Sequence, residues 1–146
     1  MEIDIITQPL QLTVYGFGSA AINKDYVGTA FKLSGKMWDT VKAAGIKNKG
    51  QNIWVYDIAH KVFAGVELDD EADAKDAGLE QLALQLNKYA SYKHVGPYQL
   101  IKQSGQNMSA TLQAKGFDVI MPYIEIYGHW TNDESKLETT LLMSLK

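Results

Sequence analysis

Asn52-Ile53-Trp54-Val55-Tyr56 is a short run in which aliphatic and aromatic side chains alternate, and Tyr123-Ile124-Glu125-Ile126-Tyr127 repeats its pattern. Laying residues 37–56 over 108–127, a shift of 71, gives six identities in twenty positions. They are Met37 with Met108, Thr40 with Thr111, Ala43 with Ala114, Gly45 with Gly116, Ile53 with Ile124 and Tyr56 with Tyr127. Ordinary composition gives about one by chance. Val41 with Leu112, Ile46 with Phe117 and Val55 with Ile126 are conservative pairs. The chain therefore reads as a duplication, and each copy runs from a helical pattern through a glycine into a strand.

The rest of the chain extends this reading. Residues 1–10 are a lead-in containing Pro9. In residues 10–17, Leu10, Leu12 and Val14 alternate with Gln11, Thr13 and Tyr15, a strand pattern that Gly16 and Gly18 are expected to end. From Tyr26 the period changes. Val27, Ala30, Phe31, Ser34, Met37, Trp38 and Val41 recur every three or four residues, one face of an amphipathic helix. Val27, Phe31, Met37 and Val41 should be core, and Gly45 should form a left-handed C-terminal cap. Residues 52–56 and 61–68 read as strands, and the polar stretch 69–78 as a crossover with a helical turn. In the second half, 89–93 is strand-like and Gly96-Pro97 breaks it. Ile101, Ser104, Met108, Thr111 and Leu112 give a second helical stripe capped by Gly116. Then follow a strand at 123–127, a polar loop at 129–136 and a last strand at 138–145.

The fold class expected is α+β. Duplicated strand–helix–strand–strand units should form an antiparallel sheet with two main helices on one face and a pseudo-twofold ligand cleft on the other. One domain, 1–146, is expected, with repeats at about 10–68 and 86–146.

Composition narrows the function. The net charge of −3 disfavours a phosphate-binding footprint, so no direct nucleic-acid partner is expected. No apolar run reaches the roughly 18 residues of a membrane span, and the start of the chain lacks the basic-then-apolar pattern of a signal peptide. With no cysteine, disulfides and thiol chemistry are excluded, and a cytoplasmic location is expected. The acidic residues between Glu67 and Glu80 read as a solvated segment, or as a field that attracts cations. His60, His94 and His129 lack metal-ligand spacing, and there is no nucleophile elbow or phosphate-binding glycine loop. No metal or cofactor is expected.

Strand side chains alternate between faces. If Ile53 and Val55, and likewise Ile124 and Ile126, face the helix-covered core, then Trp54, Tyr56, Glu125 and Tyr127 face the open side. If Val62, Ala64, Val66 and Leu68 are core, Phe63, Gly65 and Glu67 line the cleft. With Leu141, Met143 and Leu145 as core, Glu138, Thr140 and Leu142 line it too. Such a lining pairs aromatic faces, each worth about 0.5–2 kcal/mol to an organic cation, with carboxylates whose desolvation is costly until a cation arrives. The competing reading is that the aromatic residues are simply packed and the glutamates solvated.

Tyr89-Ala90-Ser91-Tyr92-Lys93-His94-Val95-Gly96-Pro97-Tyr98 resembles the signature of GyrI-like small-molecule-binding domains, the effector-binding domains of AraC-type and multidrug-sensing MerR-type bacterial activators. Pro122 with Glu125-Ile126-Tyr127, and Phe63-Ala64-Gly65-Val66-Glu67, resemble two further strands of that family. The resemblance implies a cleft for amphipathic, often cationic, drug-like ligands, with Glu125 and Tyr127 at the matching positions and Tyr92 of the signature among the ligand-binding residues. Where the family has a second glutamate in its last strand, this chain has Thr140, and Glu138 lies two residues earlier. No helix-turn-helix segment is read, so the chain is expected to be a stand-alone member, of the kind some integron cassettes carry.

The function expected is binding of an amphipathic cation, as effector or for sequestration in transcription regulation. A homodimer and a separate regulator protein are the partners left open. The alternatives are a hydrolase, with Glu125 or Glu67 as general base on a reactive xenobiotic, and a gyrase-interacting protein.

Overall fold

The identities of the internal repeat are backbone devices and core fillers. In the computed structural model, which describes residues 1–146, the first long helix, α1 (Tyr26–Ala44), starts with the Asp25 side chain accepting from the Gly28 N–H. It ends at Gly45, whose φ is 64°. The Gly45 N–H bonds to Lys42 O and the Ile46 N–H to Val41 O, a Schellman motif in which Ile46 and Val41 share a core cluster. The second long helix, α3 (Ile101–Ala114), closes in the same way. Gly116 has φ 87° and bonds to Gln113 O, while Phe117 bonds to Leu112 O. Thr40 and Thr111 each donate to the carbonyl four residues earlier, and Met37 and Met108 are both fully buried. A Cβ on Gly45 or Gly116 would meet nothing within 4 Å. Gly45→Ala and Gly116→Ala should therefore each lower stability by about 1 kcal/mol through backbone strain alone, and by equal amounts in urea denaturation.

Two compact units carry these helices. The N-terminal unit comprises Gln11–Leu84 and the C-terminal unit Met1–Leu10 with Gln85–Lys146. The strands are β1 (Asp4–Ile6), β2 (Leu10–Ala20), β3 (Ile53–Tyr56), β4 (Lys61–Val66), β5 (Glu80–Leu86), β6 (Tyr89–Val95), β7 (Val119–Tyr127) and β8 (Glu138–Leu145). Strand order is β3-β4-β2-β5 in the N-terminal unit and β1-β6-β8-β7 in the C-terminal unit. The fold is thus α+β, with antiparallel strands and a duplicated unit.

Several elements depart from the expected bounds. The lead-in contains β1, which pairs with β6. β2 continues through Gly16 and Gly18 to Ala20, because these glycines serve close approach rather than a turn. A Cβ at Gly16 would stand 1.9 Å from the Ala64 carbonyl oxygen. β5 was not expected at all. The crossover turn is the short helix α2 (Asp73–Ala77). β7 begins earlier than expected, passes a cis Met121–Pro122 bond and shifts register between Ile120 and Tyr123.

The expected faces of β3 and β7 are inverted relative to the helices, while those of β4 and β8 are as read. Directly paired residues of an antiparallel ladder share a face. Trp54 pairs with Ala64, which pairs with Phe17, and Tyr15 pairs with Val66. Tyr15, Phe17 and Val66 pack in one cluster with Met37 and Val41 of α1, so Trp54 and Tyr56 lie on the α1-covered face and Ile53, Val55 and Phe63 on the other. In the C-terminal unit Glu125 pairs with Leu141 and Tyr127 with Thr139. Leu141 and Met143 pack with Met108 and Leu112 of α3, so Glu125 and Tyr127 lie under α3 while Ile124 and Ile126 face away. Both faces of these strands carry large apolar residues, and alternation alone does not say which one a helix covers.

A second correction concerns α1. Ala30, Ser34, Met37 and Val41 are buried, but Val27 and Phe31 are 56% and 64% exposed. At about 100° per residue these four positions span a narrow arc, and Phe31 lies roughly 90° from its centre. Val27 belongs to the first turn, before burial begins at Thr29.

Candidate functional site

On β7 the period of two places Tyr123, Glu125 and Tyr127 side by side under α3. Glu125 is only 7% exposed. The Tyr123 hydroxyl donates to its Oε2 at 2.7 Å and the Tyr127 hydroxyl to its Oε1 at 2.6 Å. The ion pairs of the chain are Lys49–Asp69, Lys93–Glu138 and Lys136–Asp133, and none involves Glu125. Burial pushes its pKa above the ordinary carboxylate value. The two tyrosine hydroxyls and the nearby His94 act in the opposite direction without cancelling it. The result is a desolvated carboxylate held by neutral donors.

β6 and the turn after it brace this group. His94, buried opposite Thr139, has Nε2 3.0 Å from the Pro97 carbonyl oxygen and Nδ1 2.7 Å from Ser104 Oγ. A carbonyl can only accept, so Nε2 carries the hydrogen, and in the neutral ring Nδ1 accepts from Ser104. The ring ties the Gly96-Pro97 turn to α3. Tyr98, in the 3-10 turn that follows, sets its ring edge-on to Tyr127 with centroids 5.6 Å apart.

The N-terminal unit carries an aromatic group of its own on the α1 face. Phe31 stands edge-on to Trp54 at 5.0 Å and Tyr26 edge-on to Tyr56 at 6.3 Å. The Tyr26 hydroxyl is hydrogen-bonded to His60 Nδ1. Asn52 Oδ1 accepts from Ser34 and from the Trp38 indole, fixing the start of β3 to the helix.

The nine residues singled out from the sequence fall on different elements within each unit. Tyr92, Glu125 and Tyr127 are together on the α3 face, and Trp54 and Tyr56 on the α1 face. Phe63 faces away from α1. Its ring covers Gly18 and Gly65, where added Cβ atoms would come within 2.9 Å of it, so it fills the space those glycines leave. Phe63 also borders a pocket of about 350 Å³ with Val55, Leu82, Asp57 and Lys61. Glu67 lies just past β4, half-buried. Glu138 is exposed and pairs with Lys93 at 3.6 Å. Thr140 pairs with Ile126 and Lys93, on the face away from α3. Sequence reasoning passed over Tyr123, although its place two residues before Glu125 puts it on the same face. It passed over His94 and Tyr98 as site residues too, since only the folded turn brings them to β7.

Two strand–helix–strand–strand units define the class by fold: the arrangement is the GyrI-like fold. No protein-family model matches the sequence, and no curated protein matches it. Among solved structures, the chain is similar to SAV2435 bound to tetraphenylphosphonium, with 17% identity, a TM-score of 0.70 and coverage of 100% of this chain and 94% of that one. It is similar to the EcmrR C-terminal domain at 13% identity and a TM-score of 0.70, covering 100% and 99% of the two chains. It is also similar to a hydrolase from Listeria innocua at 10% identity and a TM-score of 0.61, covering 99% and 92%. At these identities the likeness is one of fold.

Proposed function

We propose that this protein binds amphipathic organic cations, with Glu125 as the anionic anchor and Tyr123 and Tyr127 as its aromatic flanks. The observation that carries the reading is the Glu125 carboxylate, buried, held by two tyrosine hydroxyls and in no ion pair. A desolvated anion is costly, and an incoming cation relieves that cost while the tyrosine ring faces attract it. Tyr92, on the same face of the C-terminal unit, is a further aromatic surface for a hydrophobic ligand body. The likeness to a protein bound to tetraphenylphosphonium supports the choice of that ion as probe. The role that fits is capture of such compounds, as effector sensing or sequestration. Isothermal titration with tetraphenylphosphonium should give saturable binding with one ion per chain and a Kd of about 1–10 μM. No heat at about 1 mM ligand would overturn the reading.

The raised pKa of Glu125 favours one further reading, in which the same carboxylate acts as general base for hydrolysis of a reactive ligand. Its likeness in fold to a hydrolase points the same way. Mass spectrometry of an electrophilic xenobiotic incubated with the protein distinguishes the two, since a binding protein returns it unchanged.

A further inference from the structure

We infer that Thr139 is a second polar anchor of this site and selects cations that carry an N–H donor over fully alkylated or arylated ones. The inference rests on the cation-binding reading and deepens it. Thr139 is fully buried, and its hydroxyl has no hydrogen-bond partner. Its neighbours across the ladder are Tyr127 on one side and His94 on the other. Both already have polar partners: the Tyr127 hydroxyl donates to Glu125, and the two His94 nitrogens engage Pro97 and Ser104. Buried hydroxyls nearly always find a partner, so a bare one beside a desolvated carboxylate calls for an occupant.

Register supplies the geometry. Tyr127 pairs with Thr139 and Glu125 with Leu141, so Thr139 is the diagonal neighbour of Glu125 on the α3 face. Diagonal neighbours in a sheet are roughly 7 Å apart, less between side-chain tips. One protonated nitrogen, donating along two hydrogen bonds of about 2.9 Å, spans acceptors as much as about 5 Å apart. A protonated amine thus satisfies both the Glu125 charge and the Thr139 lone pairs, whereas a tetraaryl or quaternary cation satisfies only the charge.

The test uses three probes: tetraphenylphosphonium, a protonated primary arylalkylamine, and the N,N,N-trimethyl quaternary counterpart of that amine. Wild-type protein should prefer the amine to its quaternary counterpart by about tenfold in Kd. Thr139→Val, nearly isosteric, should abolish that preference, Thr139→Ser should retain it, and tetraphenylphosphonium should bind all three proteins alike. The valine variant should melt no lower than wild type, because it removes an unpartnered hydroxyl. Equal binding of the amine and its counterpart by wild type overturns the inference without any variant, as does a preference that survives in Thr139→Val. Failure of wild type to bind any of the three probes overturns the underlying cation-binding reading, and the inference with it.

Discussion

Glu125→Gln should weaken binding of a lipophilic cation about 100-fold while the protein stays folded. A positive charge held roughly 5 Å from the carboxylate, at an effective dielectric near 20, gains about 3 kcal/mol, or about two orders of magnitude in Kd. The amide preserves shape and keeps an oxygen for one tyrosine hydroxyl, so the change removes charge rather than packing. The pH dependence has a definite sign. Burial raises the folded-state pKa of Glu125 above its unfolded value. The stability this group contributes is therefore fully present below the unfolded pKa and is lost as pH rises through the folded one. Cation binding needs the ionised form and runs the other way, with affinity increasing as pH rises through the folded pKa. In the glutamine variant both dependences should vanish. Calorimetric titrations at several pH values, alongside thermal melts, check both. An unchanged Kd at neutral pH would remove Glu125 from the site.

Gly16→Ala should be the most destabilising small substitution in the chain, costing about 3 kcal/mol or more. The added carbon would stand 1.9 Å from the Ala64 carbonyl oxygen and 2.7 Å from the Gly65 Cα. Both are backbone atoms of the paired strand, and neither can rotate away. Relief requires β2 and β4 to part, which breaks ladder bonds between Tyr15–Val66 and Phe17–Ala64. Gly45→Ala, with open space around the new carbon, serves as the mild control. Urea denaturation of the two variants should differ by about 2 kcal/mol, and near-equal values would show that the β2–β4 contact is slack.

Much of this was legible without coordinates. A left-handed glycine, a threonine bonding back one turn and a buried methionine are local demands, and the repeat displays them twice. Met37, Gly45 and Ile53 thus found their partners Met108, Gly116 and Ile124 by alignment alone. The last strand was read with the bounds it has, 138–145. Elements whose existence depends on a partner were not legible. β1 is three residues long and is held by β6. β2 runs through two glycines that a local reading takes as its end.

The site divides along the same line. That Glu125, Tyr127 and, by period, Tyr123 share a face follows from the sequence, because alternation is a property of a single strand. Which face the helix covers does not, because it is set by cross-strand register. Glu125 opposite Leu141 and Trp54 opposite Ala64 place the polar and aromatic residues under the helices and the isoleucines away from them. With bulky apolar residues on both faces, hydrophobicity could not choose between them. The pairing of strands distant in sequence made that choice, and with it turned Glu125 from a surface charge into a buried one.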